Sequence, residues 1–477
     1  MSGVGPADEG GCGNAGPPPR HELQAFLHRP GRWPVAGGRH GLAHGRALGL
    51  ESGHPPRWPD PHLDPVGDPE VKPGGSAQPG PGRSPGLGIL RRWALPALLT
   101  AGATWAVLPA ASQTRAPPPP AGLLDFSPGE QAQIQAHGPW PPAAREDASN
   151  RVAKQTTVAQ WGASLFFDPR LSGNGQLACA TCHQPARAFQ DGLPTAVGRL
   201  DGQRNTPSLL DSAQARWLGW GGSHDSLWAA SLTPLLTEGE MHQTLRSLGD
   251  RMRGTPELAD GYQAAFQQAL PTDDATLVVD VAKALAAYQA TLVSPRTPFD
   301  DFRDALARGD TAAAANYPLT AQRGLRLFIG EGRCTVCHAG PRFTNGEFAD
   351  IGMPFFVPGG VDAGRYRGLQ QLLQSDYNRL GRFNDAGAQD PRAVGTRHVI
   401  LEPRHFGEFR VPGLRQLSET APYMHNGSLG RIEDVVQHYA ELNEERLHAD
   451  GERILRALHL NDSQAADLAA FLRSLSR

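Results

Sequence analysis

Two CxxCH pentapeptides constrain this chain more than any other feature. CATCH supplies Cys179, Cys182 and His183, and CTVCH supplies Cys334, Cys337 and His338. The chain has five cysteines, and the remaining one, Cys12, lies in a Gly- and Pro-rich stretch far upstream. Zinc ribbons also pair two CxxC units, but at spacings of roughly 15 to 20 residues; here Cys334 follows Cys182 by 152 residues. Separate CxxCH units are the pattern of covalent c-type haem attachment. Two thiols add to the two vinyl groups of a porphyrin, and the adjacent histidine is then held against the iron as proximal ligand. One such unit is open to chance or a redox pair; two that use every cysteine after Cys12 make chance a poor account, and a structural disulfide or zinc a poorer one than haem.

A repeat agrees with this reading. AQWGASLFF begins at Ala159 and AQRGLRLFI at Ala321, so AQxGxxLF recurs after 162 residues and the CxxCH unit after 155. Each copy is a helix followed by a haem motif, with seven extra residues in the first. Thr320 is the expected N-cap of the second helix, and Leu327 and Phe328 sit on the turn that would pack against a porphyrin. NDSQAADLAAFLRSL offers Asn461 or Asp462 as a cap, with Leu468, Phe471, Leu472 and Leu475 at helical spacing. It would close the second domain, as a helix over about 274–292 would close the first. Strand-like alternation is scarce. The expected fold is mainly α: two cytochrome c-like domains over residues 120–300 and 315–477, each with one covalent haem, and few short strands.

Upstream, residues 1–86 are too rich in Gly and Pro to bury a core and read as a disordered leader or as sequence preceding the true start. Residues 87–113 follow with Arg91 and Arg92, an apolar run from Ala94 to Ala110, and small residues at Ala110, Ala111 and Ser112. That order is a secretory signal, or a membrane anchor if the leader is retained. Either places the rest outside the cytoplasm, in the periplasm. Lys+Arg 45 against Asp+Glu 48 gives no basic excess for nucleic acid.

From Gln160 onward the chain resembles the dihaem cytochrome c peroxidase and MauG family, through LFFDPRLSGNG, CATCHQPARAFQDG, RNTPSLLD, PLLTEGEM, CTVCH, FRVPGLR and TAPYMHNGSL. The resemblance implies peroxide-driven oxidation by two c-type haems with a calcium ion between the domains. Glu240 matches the family's distal acid/base at the first haem. Arg199 stands where the Met-ligated branch carries a distal histidine, which implies an open first iron, as in the MauG branch; His224 is the nearest alternative ligand and reads as a loop histidine. Ala230 replaces a family glutamine, which removes a donor from the peroxide pocket. For the second haem, Tyr439 matches the MauG-branch ligand, with His438 and Met424 as rivals. Trp220 matches the tryptophan between the haems, beside Trp217 and Trp228. Asn205 and the carbonyls of Thr420 and Pro422 are the implied calcium ligands, and Arg410 and Arg415 the implied partners of haem propionates.

Three functions follow. One is a peroxidase taking electrons from a small cytochrome or cupredoxin to hydrogen peroxide. The second is a MauG-like oxidase of a partner protein. The third is a dihaem electron carrier or sensor without turnover, which Ala230 favours. The long segment 341–405 is expected to shape a partner surface or a homodimer contact.

Overall fold

The computed structural model describes residues 121–358, 360–451 and 453–477. The expectations for residues 1–86 and 87–113 lie outside them. Among the described residues the chain is mainly helical, with strands of two residues each: Phe348–Ala349 pairs antiparallel with Phe409–Arg410, and Phe356–Val357 with Gly360–Val361. No described helix is long and apolar enough to cross a membrane.

The repeated AQxGxxLF helices owe their glycine to close helix crossing. Helix Thr156–Phe166 packs against helix Asp274–Gln289, where a Cβ on Gly162 would overlap the carbonyl of Ala284. Helix Leu319–Ile329 packs in the same way on helix Asp462–Arg473, where a Cβ on Gly324 would overlap the carbonyl of Asp467. Small residues at these points let the backbones touch and let ridges from one helix enter the grooves of the next. The second repeat helix starts earlier than the sequence suggests. Its N-cap is Pro318, so Thr320 lies inside the first turn rather than capping it. Asn461 caps the last helix in a reciprocal box with Gln464. Helix Asp274–Gln289 ends short of the expected Leu292.

Two large apolar cores result, with a small third cluster of Trp217, Leu369 and Leu372. One gathers side chains from Val152 to Ala287, including Trp161, Phe166, Trp228 and Leu285. The other combines Phe299, Phe302, Leu325, Phe328, Phe343, Val436 and Phe471 with Leu123, Phe126 and Ile134 from the start of the described chain. Residues near 123–134 pack in the second core, as does helix Pro298–Ala307, where their apolar side chains join Phe328 and Phe471.

Segment 341–405 is tied to its own chain. Helix Asp274–Gln289 is buried continuously from Leu277 to Ala287, which sinks Lys283 and Asp280 into the core. Burying unpaired charge is costly. Asp385 meets the Lys283 ammonium at 2.7 Å, while Asp280 takes Arg151 at 2.8 Å and the Tyr262 hydroxyl at 2.8 Å. Nearby, the buried Arg379 guanidinium bridges Asp390 and Asp147 at 2.6 Å each. The segment thus supplies countercharge to the first half of the fold.

Candidate functional site

Each CxxCH unit forms one short turn whose histidine is fixed by a backbone carbonyl. Nδ1 of His183 lies 3.0 Å from the carbonyl of Phe189, and Nδ1 of His338 lies 2.9 Å from that of Phe343. Phe189 and Phe343 both hold positive φ, 60° and 55°, a conformation bulky residues adopt only when the surroundings impose it. A proton on Nδ1 donated to the carbonyl leaves Nε2 with its lone pair, the arrangement of a metal-ligating histidine. CHQPARAF and CHAGPRF thus share a proximal loop, which spacing from the histidine to the next phenylalanine would have revealed.

All four motif cysteines are free thiols. Burial pushes Cys179 up to about 12, Cys182 to about 11 and Cys334 to about 12, and raises Cys337. Zinc thiolates need the opposite environment. No group of three His, Cys, Asp or Glu among the described residues is arranged to hold a metal ion. Paired neutral thiols beside a tethered imidazole fit thioether attachment of a porphyrin.

Both motifs line one cavity of about 1060 Å³. Glu240 lines it near the first motif; desolvation raises its carboxyl above the ordinary range, and its charge in turn raises Cys179 and Cys182. Ala230 and His224 are also in the wall, His224 from the loop before helix Leu227–Leu236; burial lowers its imidazole to about 4. Gln289 donates to the Ser231 hydroxyl at 2.9 Å in the same wall. Arg199 does not line the cavity. It folds back on Glu238, with Nε 2.7 Å from the carbonyl and Nη2 3.0 Å from the carboxylate.

Tyr439 lines the cavity near the second motif, close enough for the Cys334 and Cys337 charges to add to the burial that raises its phenol. His438 points elsewhere, with Nε2 2.8 Å from the carbonyl of Ile351. Met424 is also in the wall. Trp220 lines the same cavity, and its indole N–H donates to the Asn205 carbonyl at 2.8 Å. The Asn205 N–H donates to the His425 carbonyl at 2.8 Å, and its side-chain amide donates to Leu193 at 2.8 Å, leaving the amide oxygen free. Thr420 and Pro422 line the cavity with it. These oxygens suit a hard cation but supply only part of the roughly six to eight ligands calcium takes, so the set fits only if water completes it.

The arginines correct the sequence reading. Arg415 is already neutralised: Nη1 and Nη2 meet Asp300 at 2.9 and 2.7 Å, Nε donates to Pro341, and the guanidinium lies 3.6 Å over Trp140. It lines the cavity with its charge already paired to Asp300. Arg410 donates Nε to Gly219 at 3.2 Å, and Arg342 lines the same cavity; neither has an ion pair among the described residues. Burial lowers both, Arg410 to about 10. Two desolvated cations facing one cavity fit the propionates of a haem. Arg342 lies within CHAGPRF, and its place in the haem loop was the overlooked signal.

A family model for di-haem cytochrome c peroxidase matches residues 156–308. The methylamine utilization protein MauG of Methylorubrum extorquens is 32% identical over 353 residues, covering 74% of this chain and 86% of that protein. The cytochrome-c peroxidase IdrP1 of Denitromonas iodatirespirans is 34% identical over 352 residues, covering 72% and 87%. Among solved structures, a MauG-like protein associated with microbial copper homeostasis superposes with a TM-score of 0.54 at 24% identity, covering 71% of this chain and 95% of that one.

Proposed function

Because the chain belongs to the di-haem cytochrome c peroxidase and MauG family, we propose that it is a periplasmic peroxidase that reduces hydrogen peroxide at the haem of His183 with electrons received through the haem of His338. The observation that carries the reading is the shared cavity in which both tethered histidines, Trp220 and Glu240 meet. When bound there, c-type haem supplies an iron able to exchange electrons with peroxide. The protein's own part is proton handling and positioning. Glu240, with its raised pKa, takes a proton from one peroxide oxygen and returns it to the other, so that water leaves. Two electrons and two protons per peroxide give two waters.

Arg199 is turned away from the cavity, which supports an open first iron; neutral His224 is the competing group on that side. Arg342 and Arg410 would hold haem propionates. Trp220, hydrogen-bonded through its indole, holds a position between the two halves suited to relaying electrons. Asn205, Thr420 and Pro422 would hold calcium.

Tyr439 favours a second reading, a MauG-like oxidase acting on a partner protein, since phenolate ligation lowers the second haem's potential and lets it share an oxidising equivalent. A bound cation inverts the pKa logic of an adjacent phenol, so burial does not prevent ligation. The test is peroxide turnover of the two-haem protein with and without prior half-reduction, using a small reduced cytochrome as donor. Activity without prior reduction is expected; activity only after it contradicts the open iron and the Tyr439 assignment, and none in either state leaves an electron carrier.

A further inference from the structure

The loop that orients His338 is clamped from outside by a histidine from the start of the described chain. His137 follows helix Pro128–Gln135 and is only 2% exposed. Its ring stacks on Phe343, centroids 4.7 Å apart and planes 28° from parallel, and Phe343 is the residue whose carbonyl faces Nδ1 of His338. Nε2 of His137 lies 3.3 Å from the carbonyl of His338 itself, and Nδ1 lies 2.9 Å from the carbonyl of Gln133. Edge contacts to Phe299 and Phe328 fix the ring from the sides. One imidazole therefore touches both ends of the proximal loop, at the ligand's backbone and at the ring of the residue that orients the ligand. The first motif has a different support: Phe189 meets Phe166 edge-on at 6.2 Å, and no described side chain is hydrogen-bonded to the carbonyl of His183.

We propose that His137 is a positioning residue for the second haem: it holds Phe343 in its left-handed conformation and thereby sets the hydrogen bond to Nδ1 of His338, and with it the potential of that haem alone. The proposal rests on the reading of His338 as a haem ligand. The physical link is the outer-shell hydrogen bond. A short Nδ1–H to carbonyl bond makes the imidazole a stronger donor and stabilises ferric iron, and loosening it raises the potential.

The test is spectroelectrochemical titration of the full two-haem protein, comparing the native chain with His137→Leu and His137→Phe. Leucine removes the stack and both nitrogens; phenylalanine keeps a ring against Phe343. The expected result is an upward shift of the second haem's midpoint in His137→Leu, a smaller one in His137→Phe, and no shift of the first. Selective loss of the second haem in either variant, with the first retained, also supports the clamp. Unchanged potentials, equal shifts of both haems, or loss of both haems overturn it. Peroxide turnover is not read, so a native protein that reduces no peroxide sinks the function proposed above and leaves this result standing.

Discussion

The indole N–H of Trp220 donates to the backbone carbonyl of Asn205 at 2.8 Å. That bond joins an aromatic side chain of the cavity wall to a residue whose own N–H reaches the carbonyl of His425. Trp220→Phe removes the donor and costs about 1 kcal/mol of stability by the usual worth of such a bond. The larger effect falls on electron flow. In stopped flow, oxidation of the second haem by peroxide slows while the first haem's reaction keeps its rate.

Glu240 carries the acid/base prediction. Desolvation by the surrounding cavity wall raises its carboxyl although the residue stays open to the cavity, and only the ionised form accepts the first proton, so peroxide reduction rises as pH rises through a value above the ordinary carboxylate range. Glu240→Gln abolishes that limb and lowers kcat/KM by about 10²-fold or more. A pH profile of both proteins checks it.

Tyr439→Met replaces a phenol with a neutral thioether. The second haem's potential rises and the first haem's does not, as read by potentiometric titration followed in the visible spectrum.

Asp300 and Arg415 form a deeply buried ion pair, 1% and 3% exposed. Burial alone would raise Asp300, but the hydrogen bonds and charge of Arg415 outweigh it and hold the carboxyl below its usual value. A depressed acid adds stability above its unfolded pKa and loses it as pH falls through the folded one. Asp300→Asn strands a buried guanidinium and costs about 3 to 5 kcal/mol near neutral pH. In urea titrations the gap between native and variant narrows only on the acid side.

What the sequence carried well were features with a period or a fixed chemical spacing. Gly162 and Gly324 repeat because two helix crossings repeat, and CxxCH is local, so its cysteines and histidines could be named without the fold. Partner choice was another matter. FRVPGLR shows two arginines but not that Asp300, 115 residues from Arg415, had claimed one of them. The charge need of Lys283 arises only because helix Asp274–Gln289 is buried on all sides, and that need explains why Asp385 and its segment pack where they do. His137 was invisible for the same reason: its role comes from contacts more than 150 residues away, to Phe299, Phe328, His338 and Phe343.

The most direct measurement is the haem count of the matured, exported protein, by intact mass and by haemochrome spectrum after acid–acetone extraction. Two haems per chain that resist extraction, both lost in stages when Cys182→Ala and Cys337→Ala are introduced, is the result predicted. A single haem, or haem that extracts freely, contradicts the account.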